Sequence, residues 1–182
     1  MDKISYMKHT LTSAHLRILS ICEGLNHQQL LWKPQHTANN IAFNLWHISR
    51  GEESIANIID SSTDEIWVSE GWREKFGHTK DTDNKKDVTK LLNLPMPDLP
   101  ILTGYLQSTF DKTMSIIGKL TDESVDSAPD PTKPEYTVSI YLAHLTTHKN
   151  NHHGQIDYIR GLESSNWSAK SGVGIIPEKT KA

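Results

Sequence analysis

Cysteine is almost missing from this chain: Cys22 is the only one in 182 residues, so no internal disulfide can form. Its setting, ILSICEGL, reads as the inner side of a helix, where a free thiol behaves as a small apolar side chain. Long apolar runs are also missing. No stretch of about 18 apolar residues is available to span a bilayer, and the opening MDKISYMKHT lacks the apolar run of a signal peptide, so the expectation is a cytoplasmic protein without a membrane partner. Nor is there a Lys/Arg run. A net charge of −3 and a pI near 6.3 provide no electrostatic footprint for nucleic acid. Strand-type alternation is absent too, while 36% hydrophobic and 23% charged residues fit one globular domain of ordinary size.

What the chain does have is helical apolar spacing, over roughly 9–24, 38–60, 98–119 and 137–162. In the third stretch Leu102, Leu106, Thr109, Thr113, Ile116 and Leu120 follow three- and four-residue steps, and Asp98 before Pro100 is a start signal. The fourth starts at Thr137, a suitable N-cap, and should end near Gly161. The expected fold is all-α, a four-helix bundle with a long connection between helices 2 and 3. The bundle domain should span 1–165, followed by a C-terminal tail, 166–182, docked by Trp167, with Ile175 and Ile176 as further contacts.

Two connections look alike. GLNHQQLLWKP (24–34) and KLTDESVDSAP (119–129) place a Leu, a polar turn, an apolar residue and a Pro at the same offsets, and each is followed by similar text, NIAFNLWHI and TVSIYLAHL. The likeness reads either as two repeated helix pairs or as chance similarity of two amphipathic helix starts. Residues 61–97 are too long for a bundle turn of about 2–8 residues. Trp67, Trp72 and Phe76 are apolar anchors that would pack this stretch over the end of the bundle, either as a functional loop or as a tethered crossover, with the charged 80–90 stretch left in water.

Residues 144–155 read HLTTHKNNHHGQ, with His144, His148, His152 and His153 in one helical segment. Placing residues at about 100° per step gathers Val138, Tyr141, Leu142, Leu145, Ile156 and Ile159 into one arc. His148 falls at the edge of that arc and His152 inside it, as does Lys149. Histidines at i and i+4 project about 6 Å apart, close enough to share an ion at a bond length of about 2.1 Å. His144 and His152 are separated by about 12 Å of rise, too far for that. The pair is therefore 148 with 152 or 144 with 148, and the apolar arc favours the first.

The HxxxH spacing alone is a weak signal, equally compatible with a solvated polar face. His47 in NLWHISRGEES supplies a possible third ligand, on the flank of a face made by Ile41, Leu45, Ile48, Ile55 and Ile59; taken alone it reads as a boundary histidine. Gly51, one turn along, leaves room beside the imidazole. Glu52 points inward on the same wheel, as a partner of a ligand histidine, as a general base near the ion, or as a helix-edge salt bridge with Arg50 or a neighbour. Gln155 is a candidate partner of His152. For His9, His15, His27, His36 and His78, in helix starts or polar turns, a solvated side chain is the default.

The combination of NLWHISRGEES with HLTTHKNNHHGQIDYIRGL, and GWREKFG between them, resembles the DinB-like superfamily of metal-dependent enzymes, also called YfiT-like. The resemblance implies a four-helix bundle in which one His of the second helix and two of the last bind a divalent ion facing an open pocket; these match His47, His148 and His152. Characterised branches are similar to thiol-dependent S-transferases and isomerases. Family motifs often carry Arg before the Gly-Gln, where this chain has His153, so an anion-binding role for that Arg does not carry over. The expectation is therefore a metal-dependent enzyme, an S-transferase or hydrolase, with His47, His148 and His152 as ligands to a divalent ion, zinc or nickel first, and Glu52 as catalytic base. Its partner would be a small-molecule substrate, a low-molecular-weight thiol among them, and the chain would form a homodimer. The rival reading is a non-catalytic, small-ligand-binding or dimerising bundle with a structural metal.

Overall fold

Apolar residues recurring every three or four positions have only one way to leave water together, and here they close four long helices around a shared interior. The computed structural model describes residues 1–78 and 94–168. In these the long helices are α1 (Lys3–Cys22), α3 (Ile41–Ile59), α6 (Leu99–Ile117) and α8 (Val138–Glu163), with short helices α2 (His27–Leu31), α4 (Ile66–Ser69), α5 (Trp72–Lys75) and α7 (Asp122–Val125) between them. No described residue lies in a strand, and no described helix is long and apolar enough to cross a membrane. α3 lies against α6 and α8, and α1 completes the ring against the same two helices.

The helix starts are written locally. Asn40 and Thr137 cap α3 and α8 by accepting from the backbone N–H of Phe43 and Ile140. The first helix begins at Lys3 rather than near residue 9, because Asp2 accepts from the N–H of Ser5 and Ile4 and Met7 extend its apolar side onto the core. The two similar connections fold alike. In each a short helix opens with a reciprocal capping box, Asn26 with Gln29 and Thr121 with Ser124. Leu30 and Val125, at the same offset, are fully buried. Helices this short leave too few turns for an apolar period to show in sequence.

The described part of the long connection is tethered to the bundle by its aromatic side chains. Trp67 and Phe76 lie in the core, and Trp72 packs on Gly104, where a Cβ would come within 3.0 Å of its ring. The tether is also polar. Glu53, fully buried, accepts from Arg50 (2.6 Å), the Tyr105 hydroxyl (2.5 Å) and the backbone N–H of Trp67 (3.0 Å), and the Arg50 guanidinium lies over the Trp67 ring. His78, expected in solvent, is instead buried among Trp46, Trp67 and Phe76, its Nε2–H donating to Pro95 O at 2.8 Å. The charged 80–90 stretch and Ile175–Ile176 lie outside the described residues. Trp167 docks on α8, donating its indole N–H to Asp157 beneath the Arg160 guanidinium.

The core is in two parts. One apolar cluster contains Ile18, Ile48, Leu106 and Ile156, the other Leu11, Ile55, Ile117 and Leu145. Between them each long helix contributes buried polar side chains: His15 on α1, Glu52 on α3, Thr109 and Thr113 on α6, Lys149 on α8.

Candidate metal centre

One turn of α3 and two of α8 form the site. On α3 the cap at Asn40 sets the helix phase, so that Asn44 and His47 face α8. On α8 the four-residue step stacks His148 and His152 on one side. The result is a cluster in which one ring nitrogen from each of His47, His148 and His152 lies within 4.8 Å of the others. Three nitrogens bound at about 2.1 Å in a tetrahedral arrangement stand about 3.4 Å apart, so closure by at most about 1.4 Å, within reach of side-chain rotation, brings all three to one ion.

The surroundings suit a cation held by neutral imidazoles. The Asn44 side-chain amide donates to Asn40 O at 2.8 Å, which turns its Oδ1 toward His152. His152 Nδ1–H donates to that oxygen at 2.7 Å, leaving Nε2 as the lone-pair nitrogen. Burial, and then the positive potential of neighbouring His152 and His47, lowers the pKa of His148 to about 4. Burial and then His47 do the same for His152, also to about 4, against a smaller opposing contribution from Gln155. Both rings are therefore neutral, and ready to ligate, at pH 7. Phe43 stacks on His47 with the ring planes 8° apart. His47 and His148 are half-buried while His152 is nearly covered, so one side of the cluster faces solvent. His144 stacks on His148 from the exposed end.

A family model, described as the DinB superfamily, matches residues 10–156. The chain belongs to the DinB superfamily. Among solved structures, a conserved protein from Enterococcus faecalis is similar over 89% of this chain and 97% of its own, with a TM-score of 0.77 and 21% identity; that likeness concerns the fold. No curated protein matches the chain.

In this DinB chain the structure brings together the three expected histidines. Glu52 it places elsewhere: fully buried, turned to the interior, with Oε2 at 2.7 Å from Lys149 Nζ. Burial raises the Glu52 pKa and lowers that of Lys149, each partner's charge opposing the effect. Gln155 is exposed beside His152. His153, at the position of the family's frequent Arg, turns to α1, where Arg17 reaches it (3.5 Å) and Asn150 (3.2 Å). His15, expected in solvent, is buried, stacked on Phe110 with Nε2 at 3.0 Å from Gln107.

The sequence assigns no role to Asn44, and it places Lys149 in the apolar arc without naming its partner. A signal existed for both. Asn44 sits among apolar residues in NIAFNLWHI, where an amide needs a partner. Lys149 fell in the apolar arc, where a cation needs a carboxylate.

Proposed function

We propose that this DinB-superfamily protein is a divalent-metal-dependent enzyme acting on a small molecule, with His47, His148 and His152 as the ligands. The observation that carries this reading is the convergence of three ring nitrogens, from two helices, within 4.8 Å. A divalent ion held there would supply Lewis acidity, converting a bound thiol or water into a nucleophile at neutral pH.

The chain's own residues do the rest. Three protein ligands leave coordination positions open, which marks a catalytic rather than a structural arrangement. Asn44 holds His152 in the tautomer that presents Nε2, and Phe43 limits rotation of the His47 ring. The half-exposed edge made by His47 and His148 is where a small substrate enters. The residues suit a bound thiol or a bound water alike; the likeness to thiol-dependent branches of the superfamily makes a low-molecular-weight thiol the first substrate class and hydrolysis the second. Zinc and nickel are the ions that neutral imidazoles suit first. The open edge also weighs against the rival reading of a purely structural metal, whose ligands would be covered.

The test is metal content by elemental analysis of untagged protein, beside His47→Ala, His148→Ala and His152→Ala, followed by a screen of thiol conjugates with and without chelator. About one ion per chain, lost in each variant with the helical circular dichroism intact, together with chelator-sensitive turnover, is the expected result. A parent that takes up neither zinc nor nickel, or turnover that survives removal of the ion, overturns it.

A further inference from the structure

At the level of the histidines the bundle interior turns polar. Gly51 and His148 touch across α3 and α8 on the outer side, and the next residue of each helix, Glu52 and Lys149, pairs on the inner side. This pair belongs to the layer that divides the core into two apolar clusters, with His15 from α1 and Thr109 and Thr113 from α6. Lys149 Nζ lies 5.0 Å from the Phe110 ring centre, and Phe110 in turn stacks on His15.

Such a layer is poorly built for stability. Glu52 and Lys149 are both fully removed from solvent. The Thr113 and Thr109 hydroxyls lie close enough to Glu52 to favour its charged form, but each has one proton and directs it along its own helix, Thr109 to Leu106 O and Thr113 to Thr109 O. Among the described residues, no further hydrogen bond completes either Glu52 oxygen or Lys149 Nζ. A buried ion pair with so little additional hydrogen bonding returns little or nothing over apolar side chains of the same volume. What it does return is location. Apolar side chains tolerate a helix sliding or rotating by part of a turn, whereas a lone buried charge has one partner and one position to meet it; buried polar groups set register in coiled coils in the same way.

We infer that the Glu52–Lys149 pair is the register device of the ion site: it sets α8 against α3 so that His148 and His152 arrive opposite His47. Glu52 and Lys149 are positioning residues, and neither touches the ion. Their adjacency in sequence to Gly51 and His148 makes the coupling short, since any slip that separates the pair moves His148 off Gly51 by the same amount. The inference rests on the metal-site reading above.

The experiment compares the full-length parent with the double variant Glu52→Leu/Lys149→Met, which removes both charges at similar volume, and with His148→Ala. Three quantities are measured: apo-protein melting temperature, zinc affinity by competition with a chromophoric chelator, and the electronic absorption of the cobalt(II)-loaded protein. The expected result is a double variant that melts within a few degrees of the parent or above it, binds zinc at least tenfold more weakly, and shows a shifted or broadened cobalt spectrum. A zinc affinity less than tenfold weaker with the parent's cobalt spectrum overturns the inference. So does a double variant that cannot fold, because the pair would then be a stabilising element rather than a locator. Failure of the underlying metal-site reading looks different: the parent itself binds no zinc, or His148→Ala binds it as well as the parent, and the inference falls with it.

Discussion

Gly51 on α3 and His148 on α8 meet so closely that a Cβ on residue 51 would lie 3.0 Å from His148 Cε1 and 3.5 Å from its Nδ1. A glycine in the middle of a helix costs about 0.5–1 kcal/mol relative to alanine, and here it makes room for the His148 ring. Gly51→Ala should therefore separate stability from metal binding. The apo variant should melt at or above the parent's temperature, while zinc affinity falls about tenfold or more as the methyl displaces His148. Chelator competition and thermal circular dichroism check the pair of outcomes; an unchanged zinc affinity would show that the ring moves aside without loss.

Asn44 touches the histidine cluster through His152, whose Nδ1–H it accepts. Removing its Oδ1 leaves the buried Nδ1–H without its acceptor and frees the ring to rotate or change tautomer. Loss of such an outer partner typically weakens metal binding 10- to 100-fold, and an unsatisfied buried donor costs about 1–3 kcal/mol. Asn44→Ala is expected to show both effects. Zinc titration and urea unfolding measure them, and a variant that loses stability but keeps the parent's zinc affinity would restrict Asn44 to a role in folding.

How far the sequence reached follows from the size of each signal. The four long helices are legible because their apolar period runs over many turns, and the histidine cluster because His148 and His152 share a helix face and His47 flanks the apolar face of the second long helix. Glu52 was read as inward-pointing, which it is. Its partner was not identified, since a helical wheel shows which side a residue faces but not which residue of another helix lies opposite. Lys149 in the apolar arc was the other half of that pair. The same limit hid the burial of His15 and His78, whose surroundings, Phe110 and Gln107 in one case, Trp46, Trp67 and Phe76 in the other, come from distant parts of the chain.

Glu53 ties α3, α6 and the long connection together by accepting from Arg50, Tyr105 and the backbone of Trp67. Glu53→Ala leaves the Arg50 guanidinium with the more distant Glu65 carboxylate and the Tyr105 hydroxyl, each at 3.3 Å, and removing one partner of a buried ion pair costs about 3–5 kcal/mol. Tyr105→Phe removes one neutral hydroxyl, which donates to Glu53 and accepts from Arg50 at 3.3 Å, and should cost less, about 1–3 kcal/mol. Urea unfolding of both variants tests the order, and near-ultraviolet circular dichroism should report loosening around Trp67 in Glu53→Ala. A larger loss in Tyr105→Phe would mean that the phenol, not the carboxylate, holds the crossover.

His15 should make stability fall in mild acid. Burial first, and then the charge of Lys149, lowers its pKa to about 4 from an ordinary 6.5, with smaller opposing contributions from Gln107 and Asp111. Between those values the unfolded chain takes up a proton that the folded protein refuses. The contribution is thus fully present above about pH 6.5, is lost as pH falls toward 4, and levels off below. The loss is up to about 3 kcal/mol. His15→Leu has no titratable group at this position, so although lost packing on Phe110 lowers its stability at pH 7, the gap to the parent should narrow by up to that amount at pH 4. Urea unfolding at steps between pH 7 and 4, with chelator present in every sample, isolates this residue, because the remaining histidines are common to both proteins. A gap that stays constant across the range would mean that His15 titrates alike in the folded and unfolded chain.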